Sequence, residues 1–249
     1  MELPSVAVFE RSGLLAWPGI EAEWDGAWVR RSANGYTKRA NSVQCLDPAD
    51  DSDVESRIAA SVDWFGDRGL PPVFRVTPLT GPRASAAMDR LGWATIDASY
   101  QYAMPLTPME SDPRCRLYAV TDPLFQSFAE RLQNYSPVQM AGLKALLGAL
   151  VVPASGVVLH DSDGAPVASC IKCVADGIVV TGNVVTDPAH RRKGHAAAMM
   201  RTGLAWAQQN GARFAALNVQ ADNPAAQALY RGLGYAHQYD YSYRVPGAR

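Results

Sequence analysis

The 249-residue sequence predicts an α/β protein in which an antiparallel strand meander leads into alternating helices and strands, with part of that plan laid down twice. Two observations carry the prediction. The first is the run of β-branched segments "SGVVLH", "APVASCIKCV" and "GIVVTGNVVT", separated by "DSDG" and "ADG", turns in which Gly164 and Gly177 can take positive φ. The second is an internal repeat. Subtracting 142 carries Trp206 onto Trp64, Gly211 onto Gly69, Pro224 onto Pro82, and Leu233-Gly234-Tyr235 onto Leu91-Gly92-Trp93, with no gap between them.

In chain order, the second half begins with a strand in "RCRLYAV". Asp122-Pro123 then offers an N-cap acceptor followed by the one helical position that accepts proline. Ser136-Pro137 repeats the signal, and Gln139 completes a capping box ahead of a stripe of Leu143, Leu146, Leu147 and Leu150. After the meander come a basic loop, a helix from about His195 to Asn210 stopped by Gly211, and a strand in "RFAALNV". A short helix after Asn223-Pro224 and an aromatic strand, "YAHQYDYSYRV", close the series. In the first half, "WFGDRGLPPVFRVTPLTGPRASAAMDRLGWA" shares the helix, strand, helix, strand plan of "WAQQNGARFAALNVQADNPAAQALYRGLGYA". The chain therefore divides into an N-terminal helical segment, 1–23, a partial copy, 24–105, and a complete unit, 106–249, joined by the proline-rich stretch "PLTPMESDPR".

Composition narrows the function. A formal net charge of −1 gives no basic excess to draw nucleic acid or an anionic membrane, so any anion site is local. At the start, Glu2 stands where a secretory signal carries positive charge, and Glu10 and Arg11 interrupt the apolar run. No run approaches membrane-spanning length. A cytoplasmic protein with neither nucleic acid nor membrane as partner is expected. Cys45, Cys115, Cys170 and Cys173 are read as structural, because "CIKC" lacks a second ligand pair and lies in a strand, where residues three apart face opposite ways. No metal site is expected.

The local anion site is "HRRKGHAAAMM". Arg191, Arg192 and Lys193 precede Gly194 and a slim alanine start to a helix, whose first amides have no internal partner and sit at the positive end of its dipole. Such a turn can hold a pyrophosphate, and Gly194 lets the backbone approach it closely. Taken alone, the same residues read equally as solvated charges ahead of a buried helix.

Two linked segments make the pattern specific. "VVTDPAHRRKGHA" and "NPAAQALYRGLGY", within residues 178–236, resemble consecutive motifs of the GCN5-related N-acetyltransferase (GNAT) family. The resemblance implies the GNAT fold, a mixed, mostly antiparallel sheet flanked by helices. It implies an N-acetyltransferase that moves an acetyl group from acetyl-CoA to an unidentified amine, a small molecule or a peptide, by direct attack and without a metal. It implies that Arg191, Arg192, Lys193, Gly194, His195 and Ala196 hold the CoA pyrophosphate. Val184, Val185 and Thr186 would pair their backbone with the pantetheine arm, Asn223 and Ala226 would line the thioester end, and Tyr230 would be the general acid.

One departure matters: "IVVTGNVV" has no carboxylate to take the amine proton. Asp222 and Asp240 are the candidate bases, and a non-catalytic acyl-CoA-binding regulatory protein is the alternative reading. The first half has "DDSDV" where the second has its basic turn, and Met88 where the second has Tyr230. It is therefore expected to be a degenerate GNAT-like copy that repels phosphate and cannot donate a proton. Arg30, Arg31, Lys38 and Arg39 in "RRSANGYTKRANS" are read as solvated strand and turn charges, or else as facing an acidic acceptor.

Overall fold

The computed structural model describes residues 2–247. The first half contains α1 (Val6–Ala16), β1 (Glu21–Asp25), β2 (Trp28–Ser32), β3 (Val43–Cys45), α2 (Val54–Gly66), β4 (Phe74–Val76), α3 (Pro82–Arg90) and β5 (Trp93–Pro105). The second contains β6 (Cys115–Tyr118), α4 (Pro123–Gln133), α5 (Pro137–Gly148), β7 (Ala154–His160), β8 (Pro166–Ala175) and β9 (Ile178–Thr186). A single 3-10 turn, Pro188–His190, then leads to α6 (His195–Gln209), β10 (Phe214–Gln220), α7 (Pro224–Gly232) and β11 (Ala236–Pro246).

Local chemistry sets the element ends. The Asp122 carboxylate accepts from the Leu124 amide to start α4, and Ser136 and Gln139 form the reciprocal capping box of α5. Gly164 and Gly177 turn the two hairpins at φ 80° and 73°. The first strand, β1, starts at Glu21, inside the stretch that the sequence reading groups with the N-terminal helix.

The eleven strands among the described residues form one sheet in the order β1-β2-β3-β4-β11-β5-β10-β9-β8-β7-β6. Each half thus places its last strand inside the other: β11 lies between β4 and β5, and β5 lies between β11 and β10. The two pair antiparallel, from Ala236 opposite Ala103 to Pro246 opposite Trp93. Outward from this central pair the order is symmetric. On one side β4 is parallel to β3, which is antiparallel to β2; on the other β10 is parallel to β9, which is antiparallel to β8.

Helices cover both faces of the second half. On one face Met199, Met200 and Leu204 of α6, with Tyr230 of α7, pack on Cys170, Val179 and Leu217. On the other, Phe9 of α1, Phe125 of α4 and Leu143 of α5 pack on Cys173, Val180 and Ala216. Cys170 and Cys173 accordingly lie in different cores, as strand alternation requires, and both are free thiols. The helix α1, although first in the chain, lies over β8 and β9. Elsewhere α2 and α3 close over Trp28, Phe74 and Trp93. The stretch after β5 is tied to the second half by Leu106 N to Arg213 O at 2.8 Å and Asp112 N to Thr202 Oγ1 at 2.9 Å.

The solvated reading of Arg30 and Arg31 does not hold, because both side chains are buried. Consecutive strand residues face opposite ways, and each arginine finds its own partners. Arg30 meets Ser61, Glu23 and Asp25, whereas Arg31 donates to the carbonyls of Trp17 and Arg39 and to Gln44 Oε1. Lys38 stays at the surface, paired with Asp97 at 2.9 Å.

Candidate active site

The site begins where two parallel strands part. Pairing between β9 and β10 runs only from Ile178 opposite Phe214 to Thr181 opposite Leu217, although β9 continues to Thr186 and β10 to Gln220. A bulge lies at the parting: the β8–β9 register slips between Ser169 and Ile171, and Asn183 sits at φ 55°. Its side-chain oxygen accepts from Tyr135 Oη at 2.6 Å and Gln133 Nε2 at 3.1 Å. From Gly182 onward β9 has no strand partner on the side that faced β10; Asn183 O accepts from Gln133 Nε2 at 3.1 Å and Thr186 O from Arg191 Nε at 3.3 Å, and the rest of that edge can meet an extended ligand.

The next turn presents the basic loop. Arg192 and Gly194 take φ 60° and 78°, and Gly194, the N-cap of α6, supplies no side chain to bond the helix's first amides. Those amides point at a cleft of about 490 Å³. Its floor is Val184, Val185 and Thr186; one wall is Arg191, Arg192, Gly194, His195 and Ala196; the other is Asn223, Ala226 and Tyr230. The structure therefore brings together the residues singled out from the sequence, with one exception. Lys193 is exposed and lies outside this lining. Asn223 has a second job as the cap of α7, accepting from Ala226 N at 3.0 Å.

Sequence reasoning missed His190, which also lines the cleft. Its ring lies 3.7 Å from Asp187 and 3.8 Å from Asp161, and its centroid is 6.3 Å from that of His195. The i, i+3 spacing of Asp187 and His190 in a capped turn was the available signal. Burial, with the nearby charges of Arg114, His190 and Lys193, pushes the His195 imidazole below its ordinary value and favours its neutral form. Burial pushes the Tyr230 phenol up to about 12, and its ring packs against Tyr235 with centroids 6.1 Å apart. Tyr230 keeps its proton at neutral pH.

Neither candidate base belongs to this cleft. Asp222 is exposed in the turn before α7. Asp240 is exposed and bonded to His237 at 2.7 Å. On the opposite face of the sheet, below the same parting, Glu10 of α1 lines a narrow polar cavity with Arg31, Arg39, Arg75, Gln101 and Asn218. Burial would raise the Glu10 carboxyl, but the charge of Arg75 and hydrogen bonds from Arg75 and Tyr239 outweigh it and hold it below the usual range. Both its oxygens are occupied, Oε1 by Arg75 at 2.9 Å and Tyr239 at 2.6 Å, Oε2 by Arg75 at 3.0 Å and Gln44 at 2.6 Å. Glu10 is a fixed counter-ion and a poor base.

The corresponding place in the first half is closed. Asp51 lies just before α2, the counterpart of α6, and its carboxylate accepts from the amides of Arg83 and Ala84, at 2.6 and 2.9 Å, at the start of α3, the counterpart of α7, so an internal carboxylate bridges the two helix starts that flank the cleft in the second half. Met88 is fully buried in the core beneath it.

A family model described as "Probable histone acetyltransferase Rv0428c C-terminal" matches residues 5–244. The chain belongs to this family. It is an acetyltransferase of the GNAT type, and several of its relatives are similar over nearly its whole length. "Uncharacterized N-acetyltransferase YobR" of Bacillus subtilis is 24% identical over 249 residues, which cover 98% of this chain and 99% of that protein. A GCN5-related N-acetyltransferase from Kribbella flavida superposes with a TM-score of 0.74 at 18% identity, over 99% of this chain and 98% of the other. A tandem GNAT protein from the clavulanic acid biosynthesis pathway gives 0.66 at 12% identity, over 99% and 89%. These likenesses establish the GNAT fold for this acetyltransferase. Among its described residues no cluster of three or more His, Cys, Asp or Glu could hold a metal, and no helix is long and apolar enough to cross a membrane.

Proposed function

We propose that the protein transfers the acetyl group of acetyl-CoA to an amine at the parting of β9 and β10, with Tyr230 as general acid. The observation that carries this reading is the single cleft combining the uncapped amides of α6, the free edge of β9 and the Tyr230 phenol. Arg191 and Arg192, with the α6 amides, neutralise a pyrophosphate. The β9 edge from Gly182 to Thr186 holds an amide-bearing arm in extended form, which brings a thioester to the parting. There the acceptor nitrogen bonds to the carbonyl carbon, a β9 amide stabilises the oxygen as charge develops, and the carbon–sulfur bond breaks. Tyr230 gives its proton to the departing sulfur and regains one from water, since a phenol stays protonated at a pH where a thiol of pKa about 8.5 can leave as thiolate. With no carboxylate in the cleft lining, the amine proton passes to water.

We read the first half as a degenerate copy that binds no CoA, and the symmetric strand order and the internal anion at Asp51 support that reading. The cleft's lack of a carboxylate also favours a second reading, an acyl-CoA-binding regulatory protein without turnover. Calorimetry with acetyl-CoA tests the site: one molecule per chain is expected. Gly194→Glu, which places bulk and negative charge where phosphate sits, is expected to weaken binding by about 100-fold or more. A stoichiometry near two, or an unaltered affinity, would count against the proposal. Release of free CoA on adding amines separates the enzyme from the regulatory protein.

A further inference from the structure

We propose that the acceptor amine carries a carboxylate, held by Arg39 and Arg31 in the polar cavity on the face of the sheet opposite the acetyl-CoA cleft. This rests on the reading of the β9–β10 parting as the transfer site. The cavity is lined by three arginines, Arg31, Arg39 and Arg75, against a single carboxylate, Glu10. Arg75 and Glu10 are a matched pair, bonded at 2.9 and 3.0 Å with side chains each 4% exposed. Arg39 is left without an anion, and Arg31 feels the charge of Glu10 but bonds to no anion.

Their surroundings show the deficit. Arg31 is 3% exposed, and its terminal nitrogens donate only to neutral oxygens, those of Trp17, Arg39 and Gln44. Its Nε is buried with no partner at all. Arg39 is half-buried, its guanidinium lies 5.4 Å from the centroid of the Trp17 ring, and it makes no ion pair among the described residues. Burial and the charge of Arg75 together push the Arg31 guanidinium down to about 10. A buried cation without a counter-charge is costly, and an anion placed here removes that cost. Guanidinium forks recognise carboxylate and phosphate alike through paired N–H donors. The cavity measures about 20 Å³, space for one water-sized group, so only one oxygen of the carboxylate enters beside Arg31 and the rest of the acceptor lies toward Arg39.

Position connects the cavity to the chemistry. Gly182 is the first β9 residue beyond the pairing with β10, and a Cβ there would stand 3.7 Å from Arg39 Nη1 and 3.1 Å from the Trp17 ring. Arg39 therefore reaches the sheet where it opens, with Tyr230 on the other face. An acceptor anchored by its carboxylate on Arg39 presents its amine through the opening toward the thioester. The same charge disfavours a basic peptide acceptor, whose added cations meet an uncompensated positive site. The first half thereby supplies the specificity of a reaction whose donor site lies wholly in the second.

The test uses the whole 249-residue chain with acetyl-CoA and a series of ω-amino acids from glycine to 6-aminohexanoate, each paired with its carboxamide. The best acid is expected to exceed its amide about tenfold or more in kcat/KM, carried mainly by KM, and Arg39→Gln to bring the ratio close to one. Equal rates for acids and amides throughout the series, or a preference that survives Arg39→Gln, would overturn the proposal. Calorimetry of the corresponding N-acetylated products with CoA present reads the anion site without turnover. There the acid is expected to bind more tightly than the amide in the unsubstituted protein alone, and equal binding of both would overturn the proposal. Failure to bind acetyl-CoA at all would instead sink the transferase reading on which it rests.

Discussion

Tyr230 and Lys172 share the apolar layer between α6 and the sheet, and burial favours the neutral form of each. For Tyr230 the neutral form is the useful one. Tyr230→Phe keeps the ring in place and removes only the donor, so acetyl-CoA affinity is expected to stay within a few-fold while turnover falls by about 10²-fold to 10⁴-fold. Equal turnover with chemistry rate-limiting would hand the sulfur's proton to water. Lys172 has no such role: its ammonium group bonds Thr181 Oγ1 at 2.9 Å, it is fully buried, and Gly203 leaves room for its stem. Its folded value lies below the 10.5 of the exposed side chain. Between those two values the unfolded chain binds a proton that the folded protein does not, so stability rises with pH across that window and the penalty is full below it. Lys172→Met is expected to raise stability at pH 7 by about 1 kcal/mol or more and to flatten the rise, read from urea midpoints across pH 7 to 10. A lower midpoint with an unaltered slope would show that the Thr181 bond outweighs the burial.

The element that shapes the site is β9, and its critical feature was not legible in the sequence. "GIVVTGNVVT" reads as an uninterrupted strand, because the bulge at Asn183 is held from outside it, by Gln133 at the end of α4 and Tyr135 just beyond. The caps of α4 and α5 were legible because donor and acceptor lie within a few residues of each other. The basic turn was legible for the same reason, with Gly194 marking its left-handed corner. Arg31 was misread because its cover comes from three separate segments, at Trp17, Arg39 and Gln44, and charge alone says nothing about cover. Asn183 gives a direct check on the bulge. At φ 55° both Asn183→Gly and Asn183→Ala lose the two side-chain bonds, but only alanine also carries the steric cost of a left-handed backbone. The glycine variant is expected to be the more stable by about 1 kcal/mol in urea denaturation. The opposite order would mean that β9 runs straight in solution and that the cleft opens by other means.

At the scale of the whole molecule, the internal repeat announces two related units but cannot say whether each keeps its own last strand. Both ways of pairing satisfy the same alternation of apolar residues, so the choice is made by tertiary packing. The structure exchanges them, and the consequence is cooperative. Separating the chain after Leu106 would strip β11 of β4 and β5, strip β10 of β5, and remove Phe9, Trp17 and Ala103 from one core and Tyr102 and Met104 from the other. Deletions of this kind each cost several kcal/mol, against a total stability of about 5–15 kcal/mol for a typical protein. The fragment 107–249 is therefore expected not to fold alone, although it holds every residue assigned to acetyl-CoA. The intact protein is expected to melt in one transition whose calorimetric and van't Hoff enthalpies agree. Co-expression of 1–106 with 107–249 is expected to restore a folded complex that binds acetyl-CoA, because the strands can still interleave without the covalent link. A fragment 107–249 that folds cooperatively and binds acetyl-CoA by itself would show that β5 and α1 are dispensable. The first half would then act only through the acceptor, by way of Arg31 and Arg39.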